Sequence, residues 1–329
     1  MGALHPEFRR ILAAVRAARP GPVLVLGGVD RGKTTLVRQM ANLLAARGPV
    51  WVVSADSGQA WIGPPTTLAR ARLARPRRRW TGLAAERMIF VGATSPARCI
   101  GATAAALVRL ASEGLPRAAR VIVDTPGLVR GPLAEGLWQD VAEGLRTPLV
   151  VAVQKAPADS ISQEEHICRA AGLPTCRALR ADGAAGQETR RAIWEGGELA
   201  PILEPFAAAG AEVVTVRPHP LVRVRNQKTR TAYRAAAYQR YFRRARLRSL
   251  PRDLPVLSAL FGDPADLDIG RLVALRDERG WDLALGIVRG IGAKRVTVLV
   301  PPARLATVAS LAAGMLRLDP ATGDETPDP

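Results

Sequence analysis

The sequence predicts an α/β protein built on a mostly parallel sheet covered by helices, with a small β-rich module after it. Between residues 23 and 216 short apolar runs recur, each followed by a turn and a stretch of helical periodicity, which is the rhythm of strands joined by helical crossovers. Beyond residue 254 that rhythm gives way to alternating β runs. A chain of 329 residues is long enough to bury one large core and one smaller appendage.

Taken in order, residues 1–20 alternate Phe8, Ile11, Leu12 and Val15 with Arg9, Arg10 and Arg16, which predicts an amphipathic helix lying on the domain. Residues 21–253 hold the main domain. Its expected strands are 23–26, 50–53, 88–91, 121–123, 149–153 and 213–216, and its expected helices include 34–47, stopped by Gly48, then 102–113 and 162–171. The last of these opens with the capping pair Ser162 and Glu165. Two basic stretches break the rhythm. Residues 69–80 carry Arg70, Arg72, Arg75, Arg77, Arg78 and Arg79 around Pro76 and read as a loop or broken helix. Residues 226–248 read as a long cationic helix. The module at 254–318 is expected to comprise strands 271–276, 283–288 and 296–300 and a helix 306–315. The acidic, Pro-rich tail 319–329 is expected to be disordered.

Lys and Arg total 47 against 29 Asp and Glu, a net charge of +18, and a field of that sign attracts polyanions, nucleic acid first among them. Cys99, Cys168 and Cys176 form no C-x-x-C pair, and a sparse odd set points to reduced thiols in a cytoplasmic protein. His166 beside Cys168 and Cys176 lacks metal-site spacing. No apolar run approaches the roughly 20 residues that span a bilayer, so no membrane association is expected.

Gly27-Gly28-Val29-Asp30-Arg31-Gly32-Lys33-Thr34 satisfies G-x-x-x-x-G-K-[ST], follows an expected strand and opens an expected helix. This places the domain among the P-loop NTPases. The glycines let backbone N–H groups curl toward phosphate oxygens at the positive helix end. Lys33 would neutralise the β and γ phosphates, and the Thr34 hydroxyl would take one Mg²⁺ position, with Thr35 completing the nucleotide-binding segment. Only four lysines occur in the chain, so keeping one here marks a place for a compact ammonium.

Asp56 and Asp124 stand at strand carboxyl ends, where an open α/β sheet places its ligands. Asp124, after three apolar residues, has the form of an acid that orients Mg²⁺. Asp56 is open to three roles: general base for an acceptor hydroxyl, metal ligand, or turn cap.

The Gly27 to Thr34 loop, the block Asp56-Ser57-Gly58-Gln59 with Ile62-Gly63-Pro64-Pro65, and Thr125-Pro126-Gly127-Leu128 together resemble the polynucleotide 5′-hydroxyl kinase family. Its eukaryotic members serve in pre-mRNA 3′ cleavage, tRNA splicing and pre-rRNA processing, and it has archaeal and bacterial relatives. The resemblance implies ATP and Mg²⁺ as cofactors and RNA or DNA with a 5′-hydroxyl end as partner. It also implies that Gln59, Thr125 and Gly127 help to bind nucleotide. The family's usual D-x-D-x-G-Q has Ser54 for its first Asp here, and the T-x-G-W clasp has Leu128 for Trp. An R-x-x-x-R lid closes over ATP in that family. Arg230 and Arg234 match it, one helical turn apart, and Arg240 and Arg244 are the runner-up pair, otherwise nucleic-acid contacts. All three tyrosines, Tyr233, Tyr238 and Tyr241, fall beside Phe242 in that helix and are read as its packed face. Trp61 and Trp80 offer stacking faces for a strand guided by the 70–80 loop.

The reading is a kinase in which Lys33, Arg230 and Arg234 stabilise charge and Asp56 is the candidate base. Two others remain open. One is a regulatory or assembly ATPase or GTPase that uses Asp124 to Gly127 as its γ-phosphate sensor, with Gln154-Lys155 where a guanine reader would sit. The other is a nucleic-acid-binding module with a relic nucleotide site.

Overall fold

The computed structural model describes residues 6–154, 197–218, 224–303 and 307–327. The expected helix at 162–171, His166, Cys168, Cys176 and Lys155 lie outside the described residues.

Helix α1 (Pro6–Ala17) leads into strand β1 (Gly21–Gly27), whose side chains are almost all buried, as befits a central strand covered on both faces. Helix α2 (Lys33–Ala45) and strands β2 (Val50–Ser54), β3 (Thr67–Leu73) and β4 (Arg87–Phe90) follow. Then come α3 (Ile100–Ser112), β5 (Arg120–Asp124), α4 (Pro132–Gly144), β6 (Leu149–Val153), α5 (Ala200–Ala208) and β7 (Glu212–Val216). The first sheet has the order β4-β3-β2-β5-β1-β6-β7. Strands β2, β5, β1, β6 and β7 are parallel, while β3 and β4 are antiparallel additions at one edge. One face packs under α3, α4 and α5 around Leu107, Leu137, Trp138 and Phe206, and the other under α1 and α2 around Ile11, Val37 and Met40.

The first half of the basic stretch is therefore strand β3, not a loop or broken helix. Arginines alternate there with Leu68, Ala69, Ala71 and Leu73, so the apolar face was masked by charge. Arg70 is 1% exposed. Its guanidinium donates at 2.8 Å to the carbonyls of Leu110 and Glu113 and pairs with Glu86 at 3.3 Å, which offsets the several kcal/mol that burying a bare charge costs.

The cationic helix, α6 (Gln227–Phe242), starts at Asn226, whose side chain accepts the Thr229 N–H. It stops six residues before the expected end. Residues 246–251 instead form β8 (Arg246–Pro251), the first strand of a second sheet, so the module begins before residue 254. Its other strands are β9 (Val256–Ser258), β10 (Arg271–Arg276), β11 (Asp282–Ile291), β12 (Arg295–Val300), β13 (Ser310–Leu318) and β14 (Glu325–Pro327). The order is β14-β13-β10-β11-β12-β8, with β9 pairing β13 in parallel.

Two expectations fail here. The helix expected at 306–315 is strand β13, because β10 offers Leu311, Ala312 and Ala313 a paired ladder that outweighs the helical preference of Ala and Leu. The tail expected to be disordered includes β14, which pairs with β13.

The second sheet gives α6 its seat. Tyr238 and Phe242 are buried against Leu272, Leu285 and Ile287, and the Tyr241 hydroxyl accepts the Leu285 N–H at 2.9 Å. Phe90 of β4 lies in the same cluster, and its backbone N–H donates to Asp282 on β11, joining the two sheets.

Candidate active site

The carboxyl ends of β1, β2 and β5 meet where the connections from β1 and from β5 leave the sheet in opposite directions, a switch point of the kind that binds ligands. Gly27 to Thr34 leave β1 there and enter α2. Gly32 takes φ 88° at the helix start, which allows the loop to turn back on itself. The Lys33 ammonium lies under the loop, 8% exposed, and Nζ donates to the Gly28 carbonyl at 2.9 Å. Burial lowers its pKa from the ordinary lysine value against the opposing pull of Asp124, Asp56 and Asp30.

Asp124, at the end of β5, is buried, and burial raises its pKa although Thr34 and Lys33 oppose the shift. Its Oδ2 accepts the Thr34 hydroxyl at 2.7 Å and the Trp61 indole N–H at 2.8 Å. Its Oδ1 is buried without a hydrogen-bond partner among the described residues. Threonine and acid on two adjoining elements, with one anionic oxygen left over, are a donor set suited to Mg²⁺. Asp56 sits just past β2, where its Oδ1 accepts the N–H groups of Gly58 and Gln59, each at 3.0 Å. That turn fixes the carboxylate and leaves Oδ2 for other work. The Gln59 Oε1 is buried without a hydrogen-bond partner among the described residues. Ser54, in place of a carboxylate, is buried at the end of β2, and its Oγ accepts the Trp61 N–H at 3.3 Å.

The segment from Thr125 to Leu128 clasps the loop through backbone and packing. The Thr125 hydroxyl donates to the Val25 carbonyl at 2.7 Å, so it holds β1. Gly127 packs on the loop itself: a Cβ there would lie 2.4 Å from Val29 Cγ2 and 2.9 Å from Val29 N. The Leu128 carbonyl accepts the indole N–H of the buried Trp138 at 2.8 Å. Thr35 is exposed on the first turn of α2, and Arg31 pairs at 3.6 Å with Glu198, which also holds Arg130.

The lid helix reaches this loop through Asp30. Its carboxylate accepts the Arg225 N–H at 2.8 Å, the Arg225 Nε at 3.2 Å and the Arg230 Nη2 at 2.7 Å. Burial alone would raise the Asp30 pKa, but these hydrogen bonds and charges hold it below the ordinary carboxylate value. Arg230 Nε is buried and without a hydrogen-bond partner among the described residues. Arg234 turns away from the loop, and its Nε donates to both carboxylate oxygens of Glu325 on β14 at 2.9 and 3.1 Å. The expected arginine pair is thus divided, because each guanidinium meets a different acid, Asp30 for Arg230 and Glu325 for Arg234. Arg240 and Arg244 are exposed at the far end. The Tyr233 hydroxyl donates to the Ala60 carbonyl at 3.1 Å, tying α6 to the Gln59 segment.

Trp61 and Trp80 meet edge to face, with centroids 5.4 Å apart, and the Arg38 guanidinium lies 4.7 Å from the Trp61 ring. Sequence reasoning valued Trp61 as a stacking face and missed its bond to Asp124. It also missed Asp30 as the lid's anchor and Glu325 as the partner of Arg234. Asp30 lay inside the motif, where its side chain carries no signature. Glu325 had no signal at all.

The fold and this edge define a P-loop nucleotide-binding protein. A family model for the mRNA cleavage and polyadenylation factor CLP1 P-loop matches residues 27–190. The polyribonucleotide 5′-hydroxyl-kinase of Pyrococcus furiosus is 27% identical over 91% of this chain and 88% of its own. Those of Methanocaldococcus jannaschii and Thermococcus kodakarensis are 34% and 36% identical over 45% and 40% of this chain, and 41% and 38% of theirs. Among solved structures, the Clp1p chain of the wild-type Clp1p–Pcf11p complex superposes with a TM-score of 0.61 at 13% identity, over 94% of this chain and 78% of that one. Residues 27–190 thus carry the CLP1 P-loop family domain, and most of the chain is similar to a polyribonucleotide 5′-hydroxyl-kinase. Among the described residues no helix is long and apolar enough to cross a membrane.

Proposed function

We propose that this protein is an ATP-dependent polynucleotide 5′-hydroxyl kinase, transferring the γ-phosphoryl group of ATP to the 5′-hydroxyl of RNA or DNA. The observation that carries the reading is the docking of Arg230 on Asp30 of the phosphate loop. A guanidinium from far along the chain is brought beside the phosphate loop, its Nε without a hydrogen-bond partner among the described residues, as a charge-stabilising lid requires. The acceptor oxygen bonds to the γ-phosphorus, the bond to the bridging oxygen breaks, and ADP leaves. Asp56, through the oxygen that its turn does not use, accepts the hydroxyl proton. Lys33 and Arg230 stabilise the charge on the transferring group. Thr34 and Asp124 would hold Mg²⁺, which supplies further neutralisation when bound. Arg234 acts at one remove, positioning α6 through Glu325.

A GTPase switch is less well supported. Gln154, where its guanine reader would begin, is buried and its Oε1 accepts the Leu199 N–H at 3.3 Å.

The test is incubation with γ-labelled ATP and 5′-hydroxyl RNA or DNA oligonucleotides, alongside the Lys33→Ala and Asp56→Ala variants. Label at the 5′ end that disappears in Lys33→Ala is expected. Phosphate release without labelled oligonucleotide would favour the switch, and neither activity would favour a relic site. Full activity in Asp56→Ala would refute the base assignment alone.

A further inference from the structure

Where α6 gives way to β8, a cleft of about 690 Å³ opens, lined by Arg244, Arg246, Arg248, Val300 and Pro302. Its construction follows from strand geometry. Arg246 and Arg248 are two apart on β8, so they share a face, and they stand in register with Val300 and Val298 of β12. The result is a shallow trough rimmed by guanidinium groups, with Val298 and Val300 buried beneath it in the core of the second sheet. No ion pair or side-chain hydrogen bond involves Arg244, Arg246 or Arg248 among the described residues, and the chain has no acid between Glu212 and Asp253.

The position matters as much as the charge. The lid helix places Arg230 on the phosphate loop in its first turn and ends two residues before Arg244. Fourteen residues at 1.5 Å each put the trough about 20 Å from the loop. The Arg246 and Arg248 Cα atoms are about 6.7 Å apart by strand geometry, similar to the separation of successive phosphates along an extended single strand.

We infer that this trough is a sequence-independent binding site for the sugar–phosphate backbone of a single-stranded polynucleotide, several nucleotides from the end that lies at the phosphate loop. The inference rests on the kinase reading for what that end does, but not for the binding itself. The guanidiniums take the phosphates, which is why the site reads no sequence.

The experiment measures binding of fluorescent 5′-hydroxyl RNA to the full chain by anisotropy, without ATP, across a salt series. It compares a trinucleotide with an oligonucleotide of about 20 residues. The longer strand is expected to bind at least about tenfold more tightly, and the triple variant Arg244→Ala, Arg246→Ala, Arg248→Ala to abolish that advantage. The slope of log K against log salt should flatten by about 2, at roughly 0.7 per lost phosphate contact. A charge-matched triple at the exposed Arg9, Arg16 and Arg47 should keep the length advantage. Arg246→Gln, which removes one exposed charge, should give a partial loss. The inference is overturned if the length advantage survives the trough triple, if both triples weaken binding equally, or if polyglutamate of matched charge competes as well as RNA, which would mark an acidic-protein surface. Length-dependent binding without any 5′ labelling would keep the trough and remove the kinase reading. Labelling with no length dependence would do the reverse.

Discussion

In the phosphate loop the lysine is held within the motif, by the Gly28 carbonyl five residues away, and the Thr34 hydroxyl by Asp124, 90 residues on but on a strand directly paired to the loop's own. In α6 the charges are held by acids from remote parts of the chain, Arg230 by Asp30 at a separation of 200 residues and Arg234 by Glu325 at 91. The hold on Lys33 is thus a local device that any copy of the motif between a strand and a helix reproduces, and Asp124 joins it through the pairing of two central strands. The lid is a tertiary device, which exists only because the second sheet seats Tyr238 and Phe242 and its last strand takes Arg234. Charge that the loop stores in its fold, the lid delivers by docking.

If the comparison holds, damage to the loop should exceed damage to the lid, and damage within the lid should depend on which acid is lost. Lys33→Ala is expected to cost about 10³-fold or more in kcat with little change in folding, as measured by 5′ labelling and by thermal melting. Arg230→Ala should cost about 10²-fold, while Glu325→Gln should cost less than about tenfold and raise the KM for ATP as the helix loosens. Equal losses from Arg230→Ala and Glu325→Gln would break the distinction between a lid arginine that touches phosphate and one that positions the helix. Gly127→Ala probes the loop's rigidity, because the added methyl meets Val29 backbone and side chain at once. An overpacking cost of about 1–3 kcal/mol is expected to show as weaker nucleotide binding in a fluorescent-analogue titration.

The smallest effect tests the seat of the lid. The Tyr241 hydroxyl is pushed up to about 12 by burial, against an ordinary value of 10.0. Because the folded value is raised, the unfolded chain loses its proton first, and stability present below pH 10 falls between roughly pH 10 and 12 by up to about 1.4 kcal/mol per unit. Tyr241→Phe should flatten that alkaline loss in denaturant titrations. An unchanged slope would mean that this hydroxyl is not what anchors α6 to β11.

The difference between the two regions also explains what could be read. The loop announced itself because eight consecutive residues carry it, and Asp124 because three apolar residues precede it at a strand end. Strand β3 was hidden because arginines occupy alternate positions, one of them exposed, and only the partners of Arg70 make its burial possible. Strand β13 was taken for a helix because its Leu and Ala residues favour one locally, and nothing in that segment reveals that β10 waits beside it.

The sequence by itself determined the α/β class, the nucleotide loop, the acids at strand ends and the basic helix, since each is a local pattern whose physics acts within a turn or a strand. Tertiary structure alone decided which arginine meets the loop, what Trp61 does to Asp124, and that the tail forms a strand. Those outcomes depend on groups far apart in sequence whose energies appear only when the two sheets have packed together.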